Sequence, residues 1–289
     1  MARSTVGWTQ DVGHVIPLDH HALERALAAR MDAPSRRWLE QARSEVERDP
    51  GTIATIFPAV GRAIGRAPLH PGAGAGDVHA WTLDAAARTL LLVAIGPAVS
   101  GEIAALYHHG DAAERCGVLR ALAFLSVEDA VGVPLVEDAL RTNDLYLIAA
   151  SLGAYAFARL DDAALAQAVL KCVFVGVPLT GLGGLQERAT PELACMLARY
   201  VHERVAAGRG VPDEVWPLID RFGPSAELAA IEAELTHPEP DRRRAAQDAL
   251  ASRAARGALA GHAVQGALVG GAAQGALADR AAARARQES

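Results

Sequence analysis

The chain is short of aromatic residues, cysteine and above all lysine, and each shortage narrows what it can be. Aromatics make up 4% of its 289 residues, and strands depend on ring-bearing and β-branched side chains, so an all-β fold is a poor fit. Only three cysteines are present, Cys116, Cys172 and Cys195, with no Cys-x-x-Cys spacing. An odd number in apolar helical stretches implies neither a disulfide framework nor a zinc cluster, so no metal site is expected. They read as buried thiols in a reducing, cytoplasmic compartment, and residues 1–20 lack the apolar run of a secretory signal. The 28 basic residues are outnumbered by 34 acidic ones and form no long basic stripe, which counts against a nucleic-acid partner. Lysine occurs once, as Lys171, and asparagine once, as Asn143. A side chain that survives a strong arginine bias holds a position where a planar, permanently charged fork is a poor substitute for a compact amine.

What the chain has in quantity is alanine, 63 residues, within a hydrophobic content of 51%. Small side chains of high helix propensity suit closely packed helices. Apolar residues recur at three- and four-residue intervals over 19–30, 34–46, 83–95, 98–108, 111–125, 133–140, 144–159, 162–175, 191–207, 213–222, 225–236 and 241–255. Several of these segments begin with aspartate and paired alanines, as at Asp84, Asp111 and Asp162, at irregular separations that mark helix starts rather than a strict repeat. The expected fold is all-α: an irregular array of antiparallel helix pairs, HEAT- or armadillo-like, or a compact helical bundle. One helical domain is expected over 1–255, with a Gly/Ala-rich tail over 256–289.

Three stretches break the helical pattern. The glycines of 68–76 lack the preceding strand and the spacing of a phosphate-binding loop and read as a surface loop. Residues 176–188, with Pro178, Gly181, Gly183 and Gly184, cannot be helical throughout. Residues 257–278 contain no Asp, Glu, Lys or Arg and three Gly-x-x-x-Gly pairs. Strong hydrophobes are too few there, and Gln265, Gln274 and His262 too polar, for membrane insertion to be favoured, although contact through this tail stays open.

The most distinctive text runs from Gln167 through Val169-Leu170-Lys171, Phe174 and Pro178-Leu179. It continues over Gly184-Leu185-Gln186-Glu187-Arg188 and from Glu192 to Tyr200-Val201-His202-Glu203-Arg204 and Arg209, ahead of Val211-Pro212 and Trp216. This text resembles the EboA family, most clearly over 140–218. The resemblance implies a component of an ebo gene cluster, linked to making or exporting secondary metabolites, including precursors of scytonemin, beside enzymes that include a prenyltransferase. It implies a pathway rather than a reaction.

Residue chemistry narrows the candidate site. On a helical wheel of 193–207, Leu193, Met196, Leu197, Tyr200 and Val201 form a stripe with Arg204 near its centre, Glu203 at its edge and His202 pointing away. A core-directed arginine must pair with a carboxylate on a neighbouring helix or bind an anion, with Arg209 beside it. Gln167 and Lys171, four residues apart, share a helix flank. Lys171 beside Glu203 could form a salt bridge, or act as a Schiff-base or general-base amine. The ligand-binding set is therefore Gln167, Lys171, Glu203, Arg204 and Arg209, with Lys171 and Glu203 as catalytic candidates. No cofactor is expected. The favoured function is a helical binding or scaffold component that holds a small-molecule pathway intermediate or a partner enzyme. The alternative is a pathway enzyme with Lys171, Glu203 and Arg204 in an apolar pocket.

Overall fold

A computed structural model describes residues 19–74 and 76–257; most of the Gly/Ala-rich segment lies outside the described residues. The chain divides between Leu193 and Ala194 into two compact units. Helices dominate both, and the only β pairing among the described residues is an isolated bridge between Pro68 and Thr82.

The first unit holds α1 (His20–Ala28), α2 (Ala33–Arg48), α3 (Ile53–Ile64), α4 (Leu83–Ile95), α5 (Val99–His109), α6 (Ala112–Ala121), α7 (Asp129–Arg141), α8 (Leu145–Ser151), α9 (Ala154–Arg159), α10 (Asp162–Val175) and α11 (Leu185–Arg188). Neighbours in sequence pack as pairs, α3 on α4, α5 on α6 and α7 on α8. One row runs α4, α6, α8, α10 and a second runs α3, α5, α7, α9. The core is centred on α4, which also meets α1 and α2, and 11 of its residues are buried. The 27-residue helical stretch Leu83–His109 is long and apolar enough to cross a membrane by length and composition, yet its first half is this enclosed helix.

Helix ends follow local chemistry, with two corrections to the aspartate rule. Asp111 caps α6 by accepting from Glu114 N at 2.8 Å while the Glu114 side chain accepts from Asp111 N, a capping box. The cap of α10, however, is Asp161, and the N-cap position of α4 is Thr82, leaving Asp84 inside the first turn. The expected helix 144–159 is split into α8 and α9 at Leu152-Gly153. The periodicity also missed α3, because Pro58 and Gly61 interrupt its text; proline withholds one backbone donor but the flanking apolar residues Ile53, Phe57, Val60 and Ile64 are buried and hold the helix.

Both glycine-rich loops of the first unit are pinned. Leu69 N donates to Trp81 O at 2.7 Å and Leu83 N to Ala67 O at 2.9 Å, closing residues 67–83 on themselves. Arg120 donates to the carbonyls of Val78, His79 and Ala80 and stacks over Trp81; burial pulls its guanidinium below the ordinary arginine range. His79 Nε2 donates to Pro178 O at 2.7 Å. Its ring covers Gly181, where a β-carbon would stand 2.2 Å from ring atoms, so the two loops meet at a position that only glycine fits.

An ionic pair lies inside this core. Asp84 and Arg88, one turn apart on α4, are 2% and 0% exposed, and Arg88 Nη1 donates to Asp84 Oδ2 at 2.5 Å. Gly117 of α6 makes room for the arginine: a β-carbon there would be 2.8 Å from Arg88 Cδ.

Of the cysteines, Cys172 is buried and Cys116 and Cys195 are partly covered, which corrects the expectation of three buried thiols. Burial pushes the Cys116 thiol up to about 11.

The second unit holds most of α12 (Pro191–Ala206), then α13 (Trp216–Phe222), α14 (Ser225–Ala233) and a last helix, α15, at residues 240–257. Its core contains Trp216, Leu218, Ile219, Ile231 and Ala246. Arg253 of α15 reaches Asp220 at 2.7 Å and lies over the Trp216 ring.

Candidate functional site

The first-unit part of the candidate site is built on α8 and α10. Between α7 and α8, Thr142 Oγ1 donates to Ala139 O at 2.8 Å, and Asp144 caps α8 by accepting from Tyr146 N and Leu147 N. Asn143 is thereby held between two capping residues, its side chain directed outward. From α10, Lys171 Nζ donates to Asn143 Oδ1 at 2.7 Å. The chain's one lysine and its one asparagine are bonded to each other. An ammonium carries three N–H donors, so two remain after this bond. Gln167 is exposed one turn earlier, and Lys171 is half-buried.

Two exposed aromatics lie close in sequence to this bonded pair. Large hydrophobic side chains exposed among the described residues are Tyr146, Phe174 and Leu235. Tyr146 follows Asn143 by three residues, and Phe174 follows Lys171 by three on one helix face. Arg188 supports the end of α10 nearest α9: it donates to Phe157 O, to Leu160 O at 2.9 Å and to Asp162 Oδ1 at 2.9 Å.

In the second unit the geometry differs from the wheel. The buried residues of α12 are Leu193, Ala194, Leu197, Ala198, Tyr200, Val201 and Val205: four of the five stripe residues are buried and Met196 is half-covered, but the face extends toward Ala194, Ala198 and Val205, which leaves Glu203 exposed and Arg204 on a half-buried flank. Arg204 Nε donates to Gly210 O at 2.9 Å, and Arg209 N donates to Arg204 O at 2.8 Å. Arg204 therefore closes the turn after α12, where Gly208 takes φ +66°, and among the described residues it makes no ion pair. Arg209 is exposed. Gln167 and Lys171 belong to the first unit and Glu203, Arg204 and Arg209 to the second, so neither unit alone assembles the five residues.

The wheel gave His202 no role, yet it joins a network. Arg242 of α15 holds Glu234 with two bonds, Nε to Oε2 at 2.7 Å and Nη2 to Oε1 at 2.5 Å, and His202 Nε2 lies 3.1 Å from Oε1. The Arg242 bonds first, then His202, hold the Glu234 carboxyl below its ordinary value of 4.5. A depressed carboxylate adds stability above that value and loses it as pH falls through the folded one. Urea titrations of this chain are expected to show a stability loss below about pH 4.5 that is reduced in Glu234→Gln. Beside this network lies an open cleft of about 210 Å³ lined by Arg199, His202, Ala226, Glu227 and Ala230. Its arginine and histidine are already engaged, Arg199 by Glu227 and His202 by Glu234.

The family model described as metabolite traffic protein EboA matches residues 20–220. The chain belongs to the EboA family. The EboA match runs across the boundary between the units and takes in both Lys171 and Arg204, and membership agrees with a metabolite-handling role tied to a pathway. No curated protein and no solved structure matches this EboA chain.

Proposed function

We propose that this EboA-family chain is a binding component of a secondary-metabolite pathway, working in the cytoplasm, that holds a small-molecule intermediate at Lys171, Asn143 and Gln167. The observation that carries this reading is the Lys171–Asn143 hydrogen bond at 2.7 Å. The bond fixes the amine at the rim of α10 and leaves two N–H donors for a carbonyl or carboxylate. Tyr146 and Phe174, each three residues beyond one member of that pair, are exposed, and exposed aromatic area is a feature of binding surfaces. The rows of paired helices suit a HEAT-like scaffold that presents such a surface. Free thiols at Cys116, Cys172 and Cys195 support a reducing compartment.

Native mass spectrometry of the protein purified from its own host tests the reading. A small-molecule adduct is expected on the wild-type chain, absent from Lys171→Ala and reduced in Lys171→Arg. An adduct retained in full by Lys171→Ala, or a bare wild-type chain, would refute it.

A further inference from the structure

We propose that the cleft between α12 and α14 is a second binding site, for a small amino-carboxylate such as a free α-amino acid. Two bridges bracket this cleft. Arg199 and His202, one turn apart on α12, reach Glu227 on α14 and Glu234 just beyond its end. Where longer side chains would fill the groove, α14 offers only the methyl groups of Ala226 and Ala230. The space is about 210 Å³. Clefts that enclose drug-sized ligands hold roughly 300–1,000 Å³, so this one suits a small metabolite.

Each bridge leaves part of its bonding capacity unused. Arg199 Nε and Nη2 both donate to Glu227 Oε1, at 3.1 and 3.0 Å. The N–H groups of Nη1 are left over, on a side chain that is 69% exposed. Glu227 Oε2 accepts no bond among the described residues. Glu234 is held ionised by Arg242 and can only accept, so His202 carries a hydrogen on Nε2 and donates it to Oε1. In the neutral ring Nδ1 is then an acceptor with no partner among the described residues. Glu234 is buried and does not line the cleft, whereas His202 does. The ring therefore borders the cleft with the edge remote from Nε2, where Nδ1 lies. The charges cancel within the bridges, Arg199 with Glu227 and Arg242 with Glu234, so neither a plain anion nor a plain amine meets a complementary field. A molecule bearing both groups does. Its carboxylate takes the free N–H groups of Arg199, and its ammonium donates to Glu227 Oε2 and His202 Nδ1. The site lies wholly in the second unit and does not depend on Lys171.

The test is isothermal titration of the full chain at neutral pH with L-alanine, L-valine and L-leucine, and with propylamine and propionate as half-ligands. Saturable binding of at least one of the amino acids is expected. Each half-ligand should bind at least about tenfold more weakly, the cost of one lost charged hydrogen bond. Ala230→Leu fills the cleft with a good helix former and should abolish the binding. Arg199→Gln should weaken it about tenfold, and Lys171→Ala should leave it unchanged. No binding of any of the three amino acids, a half-ligand that binds as tightly as the best of them, undiminished binding by Ala230→Leu, or loss of binding in Lys171→Ala would overturn the proposal. If circular dichroism shows that Ala230→Leu does not fold, undiminished binding by Arg199→Gln, whose side chain is exposed, overturns it instead.

Discussion

Asp84→Ala is expected to lower the free energy of unfolding by about 3–5 kcal/mol, because it strands a guanidinium that is 0% exposed. Arg88→Ala should do similar damage, since it removes the partner of an aspartate that is 2% exposed and opens a void against Gly117. The double replacement Asp84→Leu/Arg88→Met removes both charges and refills the volume, and buried pairs replaced by apolar residues are often neutral or better. Urea unfolding followed by circular dichroism should therefore rank the double variant well above either single one. Equal losses in all three would mean that the pair stabilises the core through its hydrogen bonds rather than merely being tolerated there. Arg88 also sits 5.4 Å over the Phe57 ring and donates to Phe57 O at 3.4 Å, and these contacts set how far the double variant falls short of the wild type.

Trp216→Ala is expected to cost the second unit about 3–5 kcal/mol, the range for emptying a large aromatic site, since the indole is fully buried. Trp216→Phe should be much milder, below about 2 kcal/mol. The reason is that Trp216 Nε1 is buried without an acceptor, so phenylalanine gives up contact area but also removes an unsatisfied donor. Denaturant titrations of both variants separate the terms: a phenylalanine variant as damaged as the alanine one would show that the indole nitrogen has an acceptor after all. Arg253 keeps its bond to Asp220 in either variant, which confines the change to the ring.

The all-α architecture was legible because 63 alanines and repeated three- and four-residue spacing leave little else to build. What the text hid has physical causes. Helix α3 was hidden because Pro58 and Gly61 are helix-breaking in isolation, whereas packing of Phe57 and Val60 decides the matter. Arg204 was misplaced because the wheel weighted large side chains; the contact face of α12 is carried in part by Ala194 and Ala198, which such weighting ignores. Asp84 was read as a helix start, although an aspartate four residues before an arginine is also the spacing of an ion pair. Burial of that pair depends on α3 and on Gly117 of α6, partners that lie 27 to 33 residues away in sequence and have no local signature. Lys171 and Asn143 were each marked by rarity, and their contact joins positions 28 residues apart that periodicity could not relate.

The single lysine side chain, Lys171, makes the chain chemically addressable. Apart from the α-amine, an amine-directed dye meets one side chain, and a lysine-specific protease has one bond to cut, after Lys171 on α10, because every other basic residue of the Lys/Arg class is arginine. The amine is half-covered and tied to Asn143, so its acylation rate reports whether that tie is intact. A molecule seated on it slows the labelling, and release restores it, which turns a single residue into a readout of occupancy with no engineered tag.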